Sequence, residues 1–283
     1  GMLHAFKLGK LELKWGGQQP TEVAKLSGTD LGKEEWAFIP KNALPYLKYM
    51  TDTGYCHIYS IDLTPYIFDA SIGGDPEVTR TAAHWKTILI GGMRYGGACK
   101  PVDANCSTNT PNGVCAPAEV SGASIGYSSY FALDITEPTN PVILWERSST
   151  ELAGLGFTTA GPVVLRMNPR DAGGTELANG KNLNGKWFVV LASGPTGPIA
   201  TDRQFMGRSD QNMKLFVLDL RTGALLSTID SAIPYSFAGN MLGTALDTNA
   251  DYQDDVVYIP YTKKSSAGSE WIEGGVGRLV VGG

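Results

Sequence analysis

The chain has 283 residues, 42% of them hydrophobic and 18% charged, with a formal net charge of −5. That apolar share fills a real core, and the charge is too low for a disordered polymer. The acidic balance, with no basic stripe to neutralise phosphates, argues against a nucleic-acid partner, and no apolar run approaches the length of a membrane-spanning helix.

The 35 glycines and 16 prolines, set between short β-branched and aromatic runs, favour an all-β chain. In chain order, "GMLHAFKLGK" reads as a strand and not as a signal peptide, so an excised fragment is expected. "EEWAFIP" (34–40) supplies a second strand. An internal repeat then begins. "YSIDLTPYIFDASI" (59–72), "WKTILIGG" (85–92) and "SSYFALDITEPTNPVILWE" (128–146) form an apolar segment, a tryptophan-led strand and a hairpin turning at 137–141. "FTTAGPVVLRMN" (157–168), "KWFVVLASG" (186–194) and "MKLFVLDLRTGALLSTID" (213–230) repeat that order, with Thr222 and Gly223 as the turn.

Each unit is four short strands, A to D, in meander order. The ends are half units. The first two segments supply types C and D, and "GTALDTNADYQDDVVYIPYT" (243–262) with "VGRLVVGG" (276–283) supplies A, B and C. A four-stranded unit repeated in this way is a β-propeller blade, whose sheet buries both faces only when neighbours stack on it. The expectation is a single propeller domain over 1–283, with an ordinary β-sandwich as the alternative. Two full and two partial blades fall short of the usual minimum of about four, so either this is part of a larger propeller or divergence hides further blades. The long connections 93–127 and 195–212 are where binding is expected on a rigid β scaffold.

The insertion 93–127 carries Cys99, Cys106 and Cys115, with Cys56 upstream. No CxxC pair is present, which disfavours zinc. A polar loop rich in Pro, Asn and Gly with three cysteines looks like a disulfide-stapled loop, which requires an oxidising compartment. Four cysteines allow three pairings, and the sequence leaves them open, with free buried thiols as the alternative.

"DTNADYQDD" (247–255) gathers Asp247, Asn249, Asp251, Asp254 and Asp255 in nine residues. Oxygen donors at loop positions 1, 3, 5, 7 and 9 suit calcium, a hard dication that takes six to eight oxygens at about 2.3–2.6 Å. Asp247, Asn249 and Asp251 occupy positions 1, 3 and 5, the Gln253 backbone carbonyl position 7, and Asp255 position 9. Without a counter-ion these carboxylates would repel one another. Tyr252 stands where an EF-hand has glycine, Tyr258 stands where it has the bidentate glutamate, and "VVYIPY" runs straight into a strand. The expectation is therefore a calcium loop between propeller strands, with roughly micromolar to millimolar affinity. Magnesium, which demands tighter octahedral geometry, and a solvated acidic turn are the alternatives.

Catalytic patterns do not cohere. "GASIG" (122–126) matches the nucleophile elbow around Ser124, but a loop precedes it and a strand follows, and His4, His57 and His84 all come too early for the hydrolase order. "GGMRYGG" (91–97) lacks the lysine end of a phosphate loop, and "NCS" (105–107) is only a formal glycosylation acceptor. Asp62, Asp134 and Asp219 each follow an apolar run and are expected to cap turns. Trp36, Trp85, Trp145 and Trp187 recur at strand positions and are expected to pack between blades. A non-enzymatic protein is the expectation.

The segments "GMLHAFK", "EEWAFIPKNALPYL", "WKTILIGG", "YFALDITEPTNPVILWE", "KWFVVLASG", "KLFVLDLRTGALL" and "LDTNADYQDDVVYIPY" together resemble the C-terminal β-propeller of the PilY-type proteins, bacterial type IV pilus biogenesis factors and pilus-tip adhesins. The resemblance implies a modified seven-bladed propeller similar to quinoprotein dehydrogenases. It also implies a DxDxDxxxD calcium loop, carried here by Asp247, Asn249, Asp251 and Asp255. Calcium binding and release would bear on pilus extension, retraction and surface attachment. The implied partners are pilus proteins such as minor pilins, and host or abiotic surface ligands. The implied place is the pilus tip and outer surface, reached through the periplasm. Asn249 in place of aspartate removes one charge and weakens binding. The readings held in reserve are a periplasmic quinoprotein-like enzyme, which would want an adjacent Cys-Cys pair absent here, and an integrin-like calcium module.

Overall fold

Strands account for nearly all the regular structure in the computed structural model, which describes residues 1–13, 24–51, 53, 59–96, 126, 128–196, 207–266 and 270–282. The strands are β1 (Leu3–Phe6), β2 (Lys10–Leu13), β3 (Ala24–Ser27), β4 (Glu34–Phe38), β5 (Tyr66–Ala70), β6 (Lys86–Gly92), β7 (Ser129–Asp134) and β8 (Val142–Ser148). They continue with β9 (Val163–Met167), β10 (Lys186–Ala192), β11 (Lys214–Asp219), β12 (Leu225–Asp230), β13 (Ser236–Ala238), β14 (Ala245–Leu246), β15 (Val256–Lys264) and β16 (Trp271–Val280). Two complete antiparallel meanders, β5-β6-β7-β8 and β9-β10-β11-β12, coincide with the two repeat units read from the sequence. β1 pairs with β4 as the leading half unit, and β15 pairs with β13, β14 and β16 as the trailing one. The β2–β3 hairpin inserted between β1 and β4, and the 3-10 turn Lys41–Thr51, were not expected from the sequence.

Side chains alternate across each strand, so an apolar run buried on both faces marks a sheet with neighbours on both sides. In β6, Leu89 packs with Phe131 and Leu133 against Leu3, Trp36 and Phe38 of the β1–β4 pair. Its neighbours Ile88 and Ile90 point the other way and meet Val189 and Leu191 of β10 in the largest core cluster. β10 repeats the pattern, because Val190 and Ala192 turn toward Val257 and Ile259 of β15. The sheets therefore stack in chain order, each on the next. Among the described residues they form no closed ring, so the all-β reading is borne out and the number of blades is not. No helix among those residues is long and apolar enough to cross a membrane, which says nothing of strands.

The C–D hairpins share one irregularity. Register shifts fall between Ala5 and Phe6, between Ala132 and Leu133, and between Val217 and Leu218. Counted from these bulges, Trp36 opposite Ala5 and Trp145 opposite Ala132 are equivalent, and Ser227 opposite Val217 takes the third place. Each tryptophan donates its indole N–H to the turn of the next sheet's hairpin. Trp36 Nε1 reaches the Pro138 carbonyl at 2.8 Å, and Trp145 Nε1 the Leu220 carbonyl at 2.8 Å. Gly223 makes the second dock possible: its φ is +66°, and a Cβ there would lie 2.5 Å from Trp145 Cγ. Trp85 and Trp187, expected as packing residues, meet edge to face at 6.3 Å.

Asp134 and Asp219 cap their turns as expected, accepting the amides of Thr136 at 2.9 Å and Thr222 at 2.8 Å. Asp62 does not. It lies outside any strand and faces Arg94 at 3.4 Å. Cys56, Cys99, Cys106, Cys115, His57 and Ser124 lie outside the described residues, as does most of the insertion 93–127.

Candidate functional site

Residues 247–255 connect β14 to β15, the A and B strands of the trailing sheet. The connection folds around its first residue. Asp247 Oδ1 accepts the amides of Asn249 at 3.2 Å, Ala250 at 2.7 Å and Asp251 at 3.3 Å, and its Oδ2 accepts that of Tyr252 at 2.9 Å. Asn249 Oδ1 takes the Asp251 amide at 2.9 Å, and Asp251 Oδ1 takes the Gln253 amide at 2.9 Å. At the far end Asp255 Oδ2 accepts both the amide and the hydroxyl of Thr248, while its own N–H returns to the Leu246 carbonyl at 2.9 Å. These bonds from Thr248 hold the Asp255 carboxyl below the usual carboxylate range. Such Asx-type contacts are what aspartate and asparagine do when they turn a chain sharply.

The backbone records the sharpness. Ala250 has φ +62° and Tyr252 φ +69°, left-handed values that side-chain-bearing residues adopt only under constraint. Tyr252 is the loop's sixth residue, where a calcium loop of the EF-hand kind needs a sharp turn and has glycine for it. Tyrosine there was read from the sequence as a departure, and the backbone nevertheless makes the turn.

Asp247, Asn249, Asp251, Gln253 and Asp255 are thus brought into one loop. Among the described residues no three His, Cys, Asp or Glu side chains form a ready metal cluster, and the carboxylates of the loop accept backbone amides instead. One observation bears on whether a cation suits the loop. Gln253 Oε1 is buried and has no hydrogen-bond partner, while its Nε2 lies 3.3 Å from Asp251 Oδ2. An unpartnered buried oxygen beside a carboxylate, in a loop of hard oxygen donors, matches the chemistry of calcium.

A second layer fastens the loop to the preceding sheet, and the sequence reading missed it. Arg166, on β9, is buried. Its guanidinium donates to Asn168 Oδ1 at 2.7 Å and to the carbonyls of Gly180, Leu183, Asn184 and Tyr252. Its backbone bonds Asp254 twice: Arg166 N–H to Asp254 Oδ2 at 2.7 Å, and Asp254 N–H to the Arg166 carbonyl at 2.9 Å. Burial raises the Asp254 carboxyl above its usual range against the Arg166 amide, with Asp247 and Asp255 adding to the rise. Asp254, part of the acidic run, is the staple between sheets and stands apart from the predicted ligands. The signal available in sequence was an arginine inside the apolar run "VVLRM", where a charge is expected only with partners.

No family model matches the chain. Curated relatives cover most of it. A type IV pilus biogenesis factor PilY1 homolog of Xylella fastidiosa is 25% identical over 288 residues, spanning 88% of this chain and 18% of that protein. The type IV pilus biogenesis factor PilY1 of Pseudomonas aeruginosa is 26% identical over 234 residues, spanning 80% and 14%. The chain spans less than a fifth of the length of these relatives. Among solved structures, the Pseudomonas aeruginosa PilY1 C-terminal domain is 20% identical, with 92% of this chain and 36% of that one covered at a TM-score of 0.47. The likeness to the PilY-type pilus biogenesis factors read from the sequence is thus met again in curated relatives across most of the chain.

Proposed function

We propose that the chain is a calcium-binding β-propeller portion of a type IV pilus biogenesis and adhesion protein, acting by binding and not by catalysis. The stacked four-stranded meanders support the propeller reading, because each sheet buries both faces only against a neighbour. The curated relatives support the pilus reading. The observation that carries the calcium reading is the left-handed Tyr252 at the sixth loop position, with Asp247 gathering the four amides around it. Asp247, Asn249, Asp251 and Asp255 would hold the ion with side-chain oxygens, and Gln253 would add an oxygen.

Bound calcium supplies positive charge that offsets carboxylate repulsion and orders the loop. Arg166 and Asp254 then carry that order into the β9–β12 sheet, and the surface offered to pilus proteins such as minor pilins, or to host or abiotic ligands, changes with occupancy. The setting is the cell surface and pilus tip. Thermal melting tests the metal reading. At calcium about 100-fold above Kd the gain is about 2.7 kcal/mol, a rise of about 4–5 °C for a chain of this size. Asp251→Ala should abolish that rise, and magnesium should not reproduce it. Equal melting temperatures for the wild-type chain with calcium and with chelator would overturn it.

A further inference from the structure

The connections from the A to the B strand lie on one another. Residues 71–85 join β5 to β6, 168–185 join β9 to β10, and 247–255 join β14 to β15. Backbone pairing lays the first along the second. Thr79 and Leu183 form an antiparallel bridge. The amides of Arg80 and Asn184 donate to the carbonyls of Asn182 and Val78, both at 2.9 Å, and the Gly185 amide donates to the Pro76 carbonyl at 3.0 Å. Beside the ties from Arg166, the second connection reaches the third through Asn168, whose Nδ2 donates to the Asp251 carbonyl at 3.3 Å.

One contact skips the middle connection. The Arg80 guanidinium, from the first, stands 5.7 Å from the ring centre of Tyr252, in the third, and 5.6 Å from that of Trp85. Its Nη2 donates to the Lys181 carbonyl at 2.9 Å, which fixes a planar cation within reach of both rings. Tyr252 is the residue that needs holding, because a left-handed backbone is unfavourable for any residue with a Cβ. Asp247 takes its amide and Arg166 its carbonyl, and Arg80 gives its largely exposed ring a partner.

We propose that Arg80 is a positioning residue for the acidic loop: by holding the Tyr252 ring it favours the turn that gathers the oxygen donors, and bound calcium in return fastens residues 76–80 onto 182–185. The proposal rests on the calcium reading. Coupling between two equilibria is reciprocal, so Arg80 tightens calcium by the same factor as calcium tightens the pairing of the two connections. For an exposed cation–π contact that factor is about two- to fivefold.

The test titrates the whole chain with calcium by calorimetry. Arg80→Met and Tyr252→Leu should each weaken binding by about two- to fivefold, and the double variant should lose no more than either alone, because both remove one contact. Arg80→Lys, which keeps the cation, should recover part of the loss. Hydrogen exchange supplies a second readout. Calcium should slow exchange of the Asn184 and Gly185 amides by about two- to fivefold in the wild type, and should leave it unchanged in Arg80→Met and in Tyr252→Leu. Losses that add in the double variant, tighter calcium binding by Arg80→Met, or equal slowing in the wild type and Arg80→Met would overturn this proposal and leave the calcium reading standing. A wild-type chain that binds no calcium overturns both.

Discussion

Two junctions between neighbouring sheets differ in whether carboxylates take part. Where the β5–β8 sheet meets the β9–β12 sheet, Trp145 is buried against Gly223 and spends its one polar atom on the Leu220 carbonyl. Where the β9–β12 sheet meets the β13–β16 sheet, an apolar layer around Val257 and Ile259 is also present, but the rim is held by Arg166, Asp254 and the acidic loop. The third hairpin has Ser227 where a docking tryptophan would sit. The first junction depends on shape and on hydrogen bonds to neutral carbonyls, Arg147 Nε donating to that of Gly223 at 2.7 Å and Nη2 to that of Thr222 at 3.1 Å. The second depends on charge balance, so a change of ions or pH can reach it without unfolding the stack.

The largest expected effect is at the first junction. Trp145→Ala should cost about 3–5 kcal/mol, the range for removing a buried aromatic that leaves a cavity. Urea unfolding should give the same loss with calcium as with chelator. A calcium-dependent loss would dissolve the contrast between the junctions. Next is Arg166→Met, which takes the donor from the carbonyls of Leu183 and Tyr252, while that of Gly180 keeps the Leu183 amide and that of Asn184 keeps Ser71 Oγ and Trp187 Nε1. Water relieves part of that deficit, so a loss of about 2–3 kcal/mol is expected. Here the rise in melting temperature on adding calcium should shrink as well, since the loop has lost its tie to β9. Gly223→Ala should cost about 1–2 kcal/mol, from a left-handed φ and a Cβ driven into Trp145. Combined with Trp145→Ala it should cost less than the sum, because the clash is gone.

The repeat was legible because its cause is periodic. "ILIGG" and "VVLAS" can bury alternate residues on opposite faces only between two sheets, and Trp85 and Trp187 marked the second strand of each unit. The acidic loop was legible for a similar reason, since five oxygen-bearing residues at alternate positions are visible in one line. Arg166 was not, because its meaning lies in carbonyls from residues 180–184 and 252, and no local pattern announces which carbonyls a buried guanidinium will find. The left-handed turn at Tyr252 was hidden too. Tyrosine has no preference for positive φ, and the constraint comes from Asp247 and from the bonds that close the loop at Asp255. The β2–β3 hairpin was missed although "KLEL" and "AKLS" alternate, because each strand is only four residues long and Leu11 and Leu26 stay exposed, so no core pattern marks them.

The smallest effect sharpens the contrast at the last sheet among the described residues. On the β15–β16 hairpin the Tyr261 hydroxyl donates to Glu273 Oε1 at 2.6 Å, and Lys263 Nζ lies 3.5 Å from Oε2. The bond from Tyr261, and then Lys263, holds the Glu273 carboxyl below its usual range, and the same bond raises the Tyr261 hydroxyl above its own. A depressed carboxyl contributes stability above the ordinary glutamate value near 4.3, and that contribution fades as pH falls through the folded value. A raised phenol contributes below its ordinary value near 10, and that contribution fades as pH rises through the folded value. One contact therefore supports the hairpin between those limits and lets go at both ends. Glu273→Gln should lower the melting temperature slightly at pH 7, converge with wild type in acid as Glu273 protonates, and flatten the alkaline decline. Trp145→Ala, whose dock has no titrating group, should run parallel to wild type across the same range, so a pH-dependent gap there would mean that charge reaches the first junction too.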